Sequence, residues 1–376
     1  MIQSNLQTVL AVSICAIGVN IAVAADEEVP LQAGWDKGFY LKSADNDFRL
    51  NIGGWIQPRY EFESASGAED TSSFLMRRAR VDVRGHVFED FTFRVMSEFA
   101  RDANLRDAWI NYQRDPLMQV RMGQFTVPFQ WHRYIGPRRQ HFAERGVPSE
   151  AFGAATGRDI GVMLHGVNDT RTWGYGMGVF NGEGRNKAGS DSKGNMASAR
   201  LSWAALGELP REETDYRHSA APGLAFGAGV QGATKNEARE WDLGRSLIED
   251  EDEQNRRADW ITGTIDASFR WQGFSVATDG YLRSVDPDAP GVDSYDGWAW
   301  MVTAGYAFIP EKWEIVGRYS ELRLDRDDSD TEETEWGLGL TYYHRGHDLK
   351  SRINYFNHQT ARGTSEVILY EWHLQF

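Results

Sequence analysis

From Leu50 to the last residue the chain alternates apolar and polar positions in segments of about ten residues. The final segment shows the pattern most plainly. Ile368, Tyr370, Trp372, Leu374 and Phe376 occupy one parity, and Val367, Leu369, Glu371, His373 and Gln375 the other. Period two is the signature of a strand, because successive side chains leave opposite faces of the pleat. Earlier segments repeat it, beginning with Leu50-Ile52-Ile56-Tyr60, Ala79-Val81-Val83-Val87 and Phe91-Phe93-Val95-Phe99. The series runs on through Trp173-Tyr175-Met177-Val179, Trp298-Trp300-Val302-Tyr306 and Trp336-Leu338-Leu340-Tyr342. Counted along the whole chain, about sixteen such strands emerge, an even number within the range of membrane barrels.

The connections sort by length. Tight turns fall at Glu89-Asp90, Asp115-Pro116, Asn168-Asp169, Gln272-Gly273, Pro310-Glu311 and Gly346-His347. Long polar stretches separate them, such as 182–195, 286–297 and 325–334. Short periplasmic turns and long outer loops give this alternation, whereas a soluble β-sandwich has no reason to. Trp and Tyr recur at the ends of apolar faces, where a membrane interface holds amphipathic rings. The expectation is an all-β, sixteen-stranded antiparallel transmembrane barrel in the bacterial outer membrane.

Composition sharpens this. The net charge is −15 and aromatic residues make up 12% of the chain, with 14 tryptophans and 38 glycines. Beyond the N-terminus no stretch approaches the roughly 18 apolar residues of a spanning helix. Residues Val9 to Ala25 are apolar, end in Ala22-Val23-Ala24-Ala25 and are followed by Asp26-Glu27-Glu28. That is the h-region and small-residue cleavage site of a signal peptide, although no Lys or Arg precedes it. The expected organisation is a signal peptide over 1–25, cut after Ala24 or Ala25, an N-terminal segment over 26–47 and a barrel over 48–376. The single cysteine, Cys15, would leave with the signal.

At Arg77 the chain reaches a recognisable series. Arg77-Arg78-Ala79-Arg80-Val81-Asp82-Val83-Arg84-Gly85 leads to Phe88-Glu89-Asp90-Phe91. Then come Leu105-Arg106-Asp107-Ala108-Trp109-Ile110, Arg121-Met122-Gly123-Gln124-Phe125 and Pro128-Phe129. In order and spacing these resemble the phosphate-selective porin O/P family of Gram-negative outer membranes. The resemblance implies a sixteen-stranded homotrimeric porin, with a third loop folded inward and an arginine-lined path for small anions such as phosphate. The matching loop, Thr126 to Gly157, carries Arg133, Arg138, Arg139 and Arg145. The ending is also similar to that of bacterial outer-membrane barrels in general, which implies that Phe376, with Leu374, Trp372 and Tyr370 before it, belongs to the signal read by the barrel-assembly machinery.

Strand parity nominates the lumen. With Ala79, Val81 and Val83 facing lipid, Arg78, Arg80, Asp82, Arg84 and His86 must face inward. A charge near the midplane of the lipid face would cost about 2–4 kcal/mol. The same reading places Arg59, Arg94, Arg121, Arg200 and Arg318 on the inner wall. Arginine stays protonated and offers a planar fork of donors to oxyanions. Two roles stay open for these residues: guidance of anions, or lumen-filling ion pairs with Glu61, Asp82, Glu98 and Asp107. The acidic runs 249–253, 286–296 and 325–335 suit solvated outer loops, bridged to lipopolysaccharide by divalent ions.

Alternatives are a general or cation-preferring porin on the same barrel, and an outer-membrane barrel hydrolase. No local nucleophile, His and carboxylate constellation supports the latter. Gly227 to Gly232 fits a dinucleotide glycine pattern but sits in a strand-period segment with no helix after it. No cofactor, resident metal or nucleic-acid partner is expected.

Overall fold

The computed structural model describes residues 30–100, 103–153, 157–187, 194–237, 257–288, 293–325 and 331–376. The expected signal peptide with Cys15, the acidic run 249–253 and parts of the other long loops lie outside them. Two short strands come first, β1 (Leu31–Trp35) and β2 (Phe39–Ser43). The wall then runs through β3 (Phe48–Ala65), β4 (Thr71–Val87), β5 (Phe91–Glu98), β6 (Asn104–Asp115) and β7 (Met118–Thr126). After the third long loop come β8 (Arg158–Val167), β9 (Trp173–Phe180), β10 (Met196–Leu206) and β11 (Gly223–Glu237). The remainder is β12 (Arg257–Trp271), β13 (Phe274–Pro287), β14 (Tyr295–Ile309), β15 (Trp313–Asp325), β16 (Thr331–Arg345), β17 (Leu349–Thr360) and β18 (Gly363–Gln375). The glycine-rich run 227–232 lies within β11.

Each strand from β3 to β18 pairs antiparallel with the next, and β18 returns to β3 from Ser365↔Ala65 to Gln375↔Trp55. That closes a ring of sixteen strands and leaves its wall no free edge. Beyond the end of β18, β3 continues and pairs instead with β2, from Ile52↔Phe39 to Arg49↔Lys42. The hairpin β1–β2 therefore hangs below the closing seam, inside the stretch read as an N-terminal segment.

Burial is inverted relative to a water-soluble protein. Leu282 is 71% exposed and Ile265 69%, while Glu371 is fully buried and Lys350 is 1% exposed. An apolar outer belt of this extent is stable only against lipid. Inside, polar and charged side chains pack against one another and against the third long loop.

Phe376 completes the seam. Its N–H donates to the Gly54 carbonyl at 3.0 Å, and its own carbonyl accepts from the Gly54 N–H at 2.8 Å. A Cβ on residue 54 would come within 3.0 Å of the Phe376 ring and still closer to the Arg80 carbonyl, so glycine is what fits there.

Candidate functional site

One irregularity in β4 shapes the inner wall. Its register against β3 slips between Gln57 and Pro58, so Gln57 faces Arg78, Pro58 faces Met76, and Arg77 is the extra residue. A bulge reverses parity, and two successive arginines point inward. Arg77 Nε and an Nη donate to Glu144 at 2.5 and 2.9 Å, and Arg78 reaches the same carboxylate at 3.4 Å. Arg59 of β3 adds a fourth contact at 2.7 Å. Strict alternation had left Arg77 off the inner wall.

The loop receiving these arginines, 127–157, interrupts the strand pattern with Pro128, Gly136-Pro137 and Gly146-Val147-Pro148. Proline cannot donate to a ladder, so the chain leaves the wall and forms short helical turns, α1 (Trp131–Tyr134), a 3-10 turn at Pro137–Arg139 and α2 (Val147–Ala151). The anchors of this loop are spread around the ring. Arg200 of β10 donates to the Phe129 carbonyl at 2.9 Å and Arg318 of β15 to the Glu144 carbonyl at 2.8 Å. Arg352 of β17 donates to the Phe142 carbonyl at 2.8 Å, and the Ala143 N–H donates to Asn354 Oδ1 at 3.0 Å. A segment that bonds β3, β4, β10, β15 and β17 at once lies across the interior of the ring.

A second inward segment breaks the expected sorting of turns. The connection from β10 to β11, residues 207–222, lies on the side of the short turns and should itself be short. It is long, and its centre is buried: Glu213, Thr214, Asp215 and Tyr216 are between 0 and 6% exposed. Tyr216 stacks on Tyr343 at 4.5 Å, and Glu212 meets His347 at 2.9 Å. Asp215 accepts from the Gly273 N–H at 2.8 Å. This segment meets the third loop at Glu213, which accepts from His132 Nδ1 at 2.6 Å and the His141 N–H at 2.8 Å. His132 Nε2 lies 2.5 Å from Asp279 of β13. Burial opposes charge on His132, yet Asp279 and Glu213 hold the imidazolium so strongly that its pKa rises to about 10. Against its own burial, the Glu213 carboxyl is held well below the usual range by His132 and His141.

The wall arginines fall into two groups. Arg59 bridges Glu371 at 2.6 Å, Arg80 bridges Glu98 at 2.6 Å and Arg94 bridges Asp82 at 2.7 Å. Arg200 bridges Asp266 at 2.7 Å, Arg318 bridges Glu335 at 2.8 Å, and Arg78 shares Glu144. Arg84 and Arg121 have no carboxylate bridge among the described residues. Arg84 instead stands opposite Arg94 on the neighbouring strand. In the loop, Arg133 and Arg145 flank Glu150 at 2.8 and 3.8 Å. Arg138 lies over the Trp55 ring at 5.2 Å, and neither it nor Arg139 meets a carboxylate among the described residues.

The loop arginines and part of the wall enclose a cavity of about 210 Å³. Arg80, Arg84, Arg94, Arg106 and Arg158 line it from the wall. Arg133, Arg138, Arg139 and Arg145 line it from the loop, and Arg211 from the second segment. Among the described residues, the carboxylates bridged to this set are Asp82, Glu98, Asp107 and Glu150. Arginine is therefore in excess. Burial and the neighbouring Arg139, Arg94 and Arg84 push the Arg138 pKa down to about 10, against a pull from Asp82. Burial and Arg133 push Arg145 to about 9. Arg77, Arg106 and Arg158 stand in the sequence only as part of the family-like series, with no place on the inner wall, and Arg211, Glu144 and Glu213 have no motif at all. The length of 207–222 and the lone Glu144 between arginine-rich stretches were the signals available.

A closed sixteen-strand barrel with an apolar belt, a charged interior and a loop across the lumen is the architecture of an outer-membrane porin. The sequence matches the family described as phosphate-selective porin O and P over residues 50–369, and the chain belongs to that family. No curated protein matches the sequence. Among solved structures, an anion-selective porin from Comamonas acidovorans superposes with a TM-score of 0.60 at 14% identity, over 88% of this chain and 100% of that one. The outer-membrane channel DcaP of Acinetobacter baumannii gives 0.59 at 11% identity, over 92% and 100%. OmpT of Vibrio cholerae in its trimer form gives 0.59 at 12%, over 88% and 99%. At these identities the likeness is one of fold. The protein is a porin of the bacterial outer membrane, and family and fold are those of a diffusion channel rather than a hydrolase.

Proposed function

We propose that this porin passes small anions, phosphate-like oxyanions among them, in preference to cations, along the arginines beside the third loop. The observation that carries the reading is the cavity at that loop, where ten arginines meet four bridging carboxylates among the described residues. Selectivity is set where the path narrows, because field lines focus through the low-dielectric wall there. The total charge of −15 therefore does not decide it. Arg84, Arg106, Arg138, Arg139 and Arg211 are the cations of this set that meet no carboxylate among the described residues, and Arg84, Arg138 and Arg139 stand together at the loop. The paired residues Arg59, Arg78, Arg80, Arg94, Arg200 and Arg318 shape the wall and hold the loop. The family description and the anion-selective Comamonas fold neighbour support the same reading.

The biological unit we propose is a homotrimer, which the trimeric fold neighbour supports. The test of selectivity is the reversal potential of the purified porin across a planar bilayer in a potassium chloride gradient. A potential of the sign set by chloride is expected. A potential of the sign set by potassium would favour a cation-preferring porin on the same barrel.

A further inference from the structure

A second cavity, of about 340 Å³, lies between the third loop and the wall on the β7–β12 side. Its walls are largely apolar: Trp131 of the loop, Met163 and Val167 of β8, Leu209 and Pro210 of the second inward segment, and Ala225 of β11. On β9 the inward positions are Gly174 and Gly176, which leave room there, and Tyr175 of the same strand also borders the space. The same glycines admit the loop, since a Cβ at 176 would lie 3.0 Å from Pro128. Tyr134 borders both this cavity and the arginine-lined one.

Several polar side chains also border it, and most of the charged ones are partnered. Arg200 is held by Asp266 at 2.7 and 2.8 Å, His165 by Asn111 at 2.7 Å, and Arg171 meets Glu208 at 3.7 Å. Arg121 is different. Its guanidinium lies 4.2 Å over the Trp109 ring, its Nε is buried without a hydrogen-bond partner, and no carboxylate among the described residues bridges it.

Ligand cavities of several hundred Å³ combine apolar walls with a small number of placed polar groups. A hydrated inorganic anion gains nothing from Trp131, Met163 and Leu209. A molecule with an apolar body and one carboxylate gains from both parts, through burial of the body and a charge-assisted hydrogen bond to Arg121. We propose that this cavity is a binding subsite for amphipathic monocarboxylates, of the aryl or short alkyl class, reached from the arginine-lined space past Tyr134. The inference rests on the anion-preferring reading, which brings the carboxylate in. The apolar cavity then sets how long it stays.

The experiment compares benzoate and acetate as blockers of chloride current through the purified porin in planar bilayers. Benzoate should block at about a tenfold lower concentration than acetate, the effect of burying a few additional carbons. Ala225→Phe, which fills the cavity, should abolish that difference and leave the chloride reversal potential unchanged. Leu209→Ala lies outside the strands and removes an apolar wall without threatening the barrel; it should weaken benzoate block and spare acetate. Equal block by the two acids in an anion-selective wild-type channel would overturn the subsite alone. A benzoate preference that survives both variants would overturn it equally. A cation-selective wild-type channel would instead defeat the anion reading beneath it.

Discussion

His132 of the third loop and Glu213 of the β10–β11 connection are joined at 2.6 Å, and the same imidazole reaches Asp279 on β13 at 2.5 Å. Two segments that leave the wall on opposite sides of the membrane thus meet inside the barrel and are clasped to it. His141 adds to the clasp, with its N–H on Glu213 and its Nε2 on Ser275 at 2.8 Å each.

The clasp has a pH signature. His132, whose folded pKa is raised from 6.5 to about 10, contributes fully below 6.5 and loses its contribution as pH climbs toward 10. Glu213, whose folded pKa is lowered from 4.5, contributes fully above 4.5 and loses its contribution as pH falls. The interaction is thus strongest between about pH 4.5 and 6.5. His132→Ala should cost about 3–5 kcal/mol at pH 6, because it strands a buried carboxylate. In urea unfolding, the gap between wild type and variant should shrink by pH 10.5. A gap independent of pH would contradict the clasp.

Glu144 gathers Arg59, Arg77 and Arg78. Glu144→Gln keeps the shape and removes the charge that neutralises them. Anion preference should increase, read as a larger reversal potential in a salt gradient. Val81→Ala and Val83→Ala, on the outer face, should leave it unchanged. An unaltered potential in Glu144→Gln would mean that these arginines do not face the ions.

Deleting Phe376, or replacing it by Ser, should lower the amount of barrel assembled in the outer membrane. The conductance of whatever barrel assembles should stay near wild type. The motive is the pair of Gly54 hydrogen bonds and the ring seated against Gly54, at the point where the sheet closes. Normal surface levels of the deletion variant would refute the assembly role.

In mild detergent the protein should run as a heat-sensitive trimer and as a monomer only after boiling. Light scattering that finds a monomer alone would remove the trimer and leave the barrel intact.

The strands and their faces were legible because the membrane punishes errors. Placing Arg80 on the lipid side near the midplane would cost about 2–4 kcal/mol, and Asp82 less, so parity alone orients β4. Arg77 was not legible, because a single inserted residue reverses parity and leaves no mark in the alternation. The clasp and the Glu144 hub were hidden for another reason. Glu213 lies far along the chain from His132, as Arg59 does from Glu144, and periodicity carries no information on contacts at such separations. The resemblance drew attention to the loop arginines. Only the structure separates Arg138 and Arg139, which meet no carboxylate among the described residues, from Arg133, which is tied to Glu150.

The central claim is that uncommitted arginines beside the third loop make this porin prefer anions. Changing Arg84, Arg138 and Arg139 together to Glu reverses the charge there and leaves the bridged arginines in place. The most direct measurement is the reversal potential of this triple variant beside wild type, in bilayers across a potassium chloride gradient. The account predicts that its sign switches from chloride to potassium. A correctly inserted variant that keeps the wild-type anion preference would contradict it.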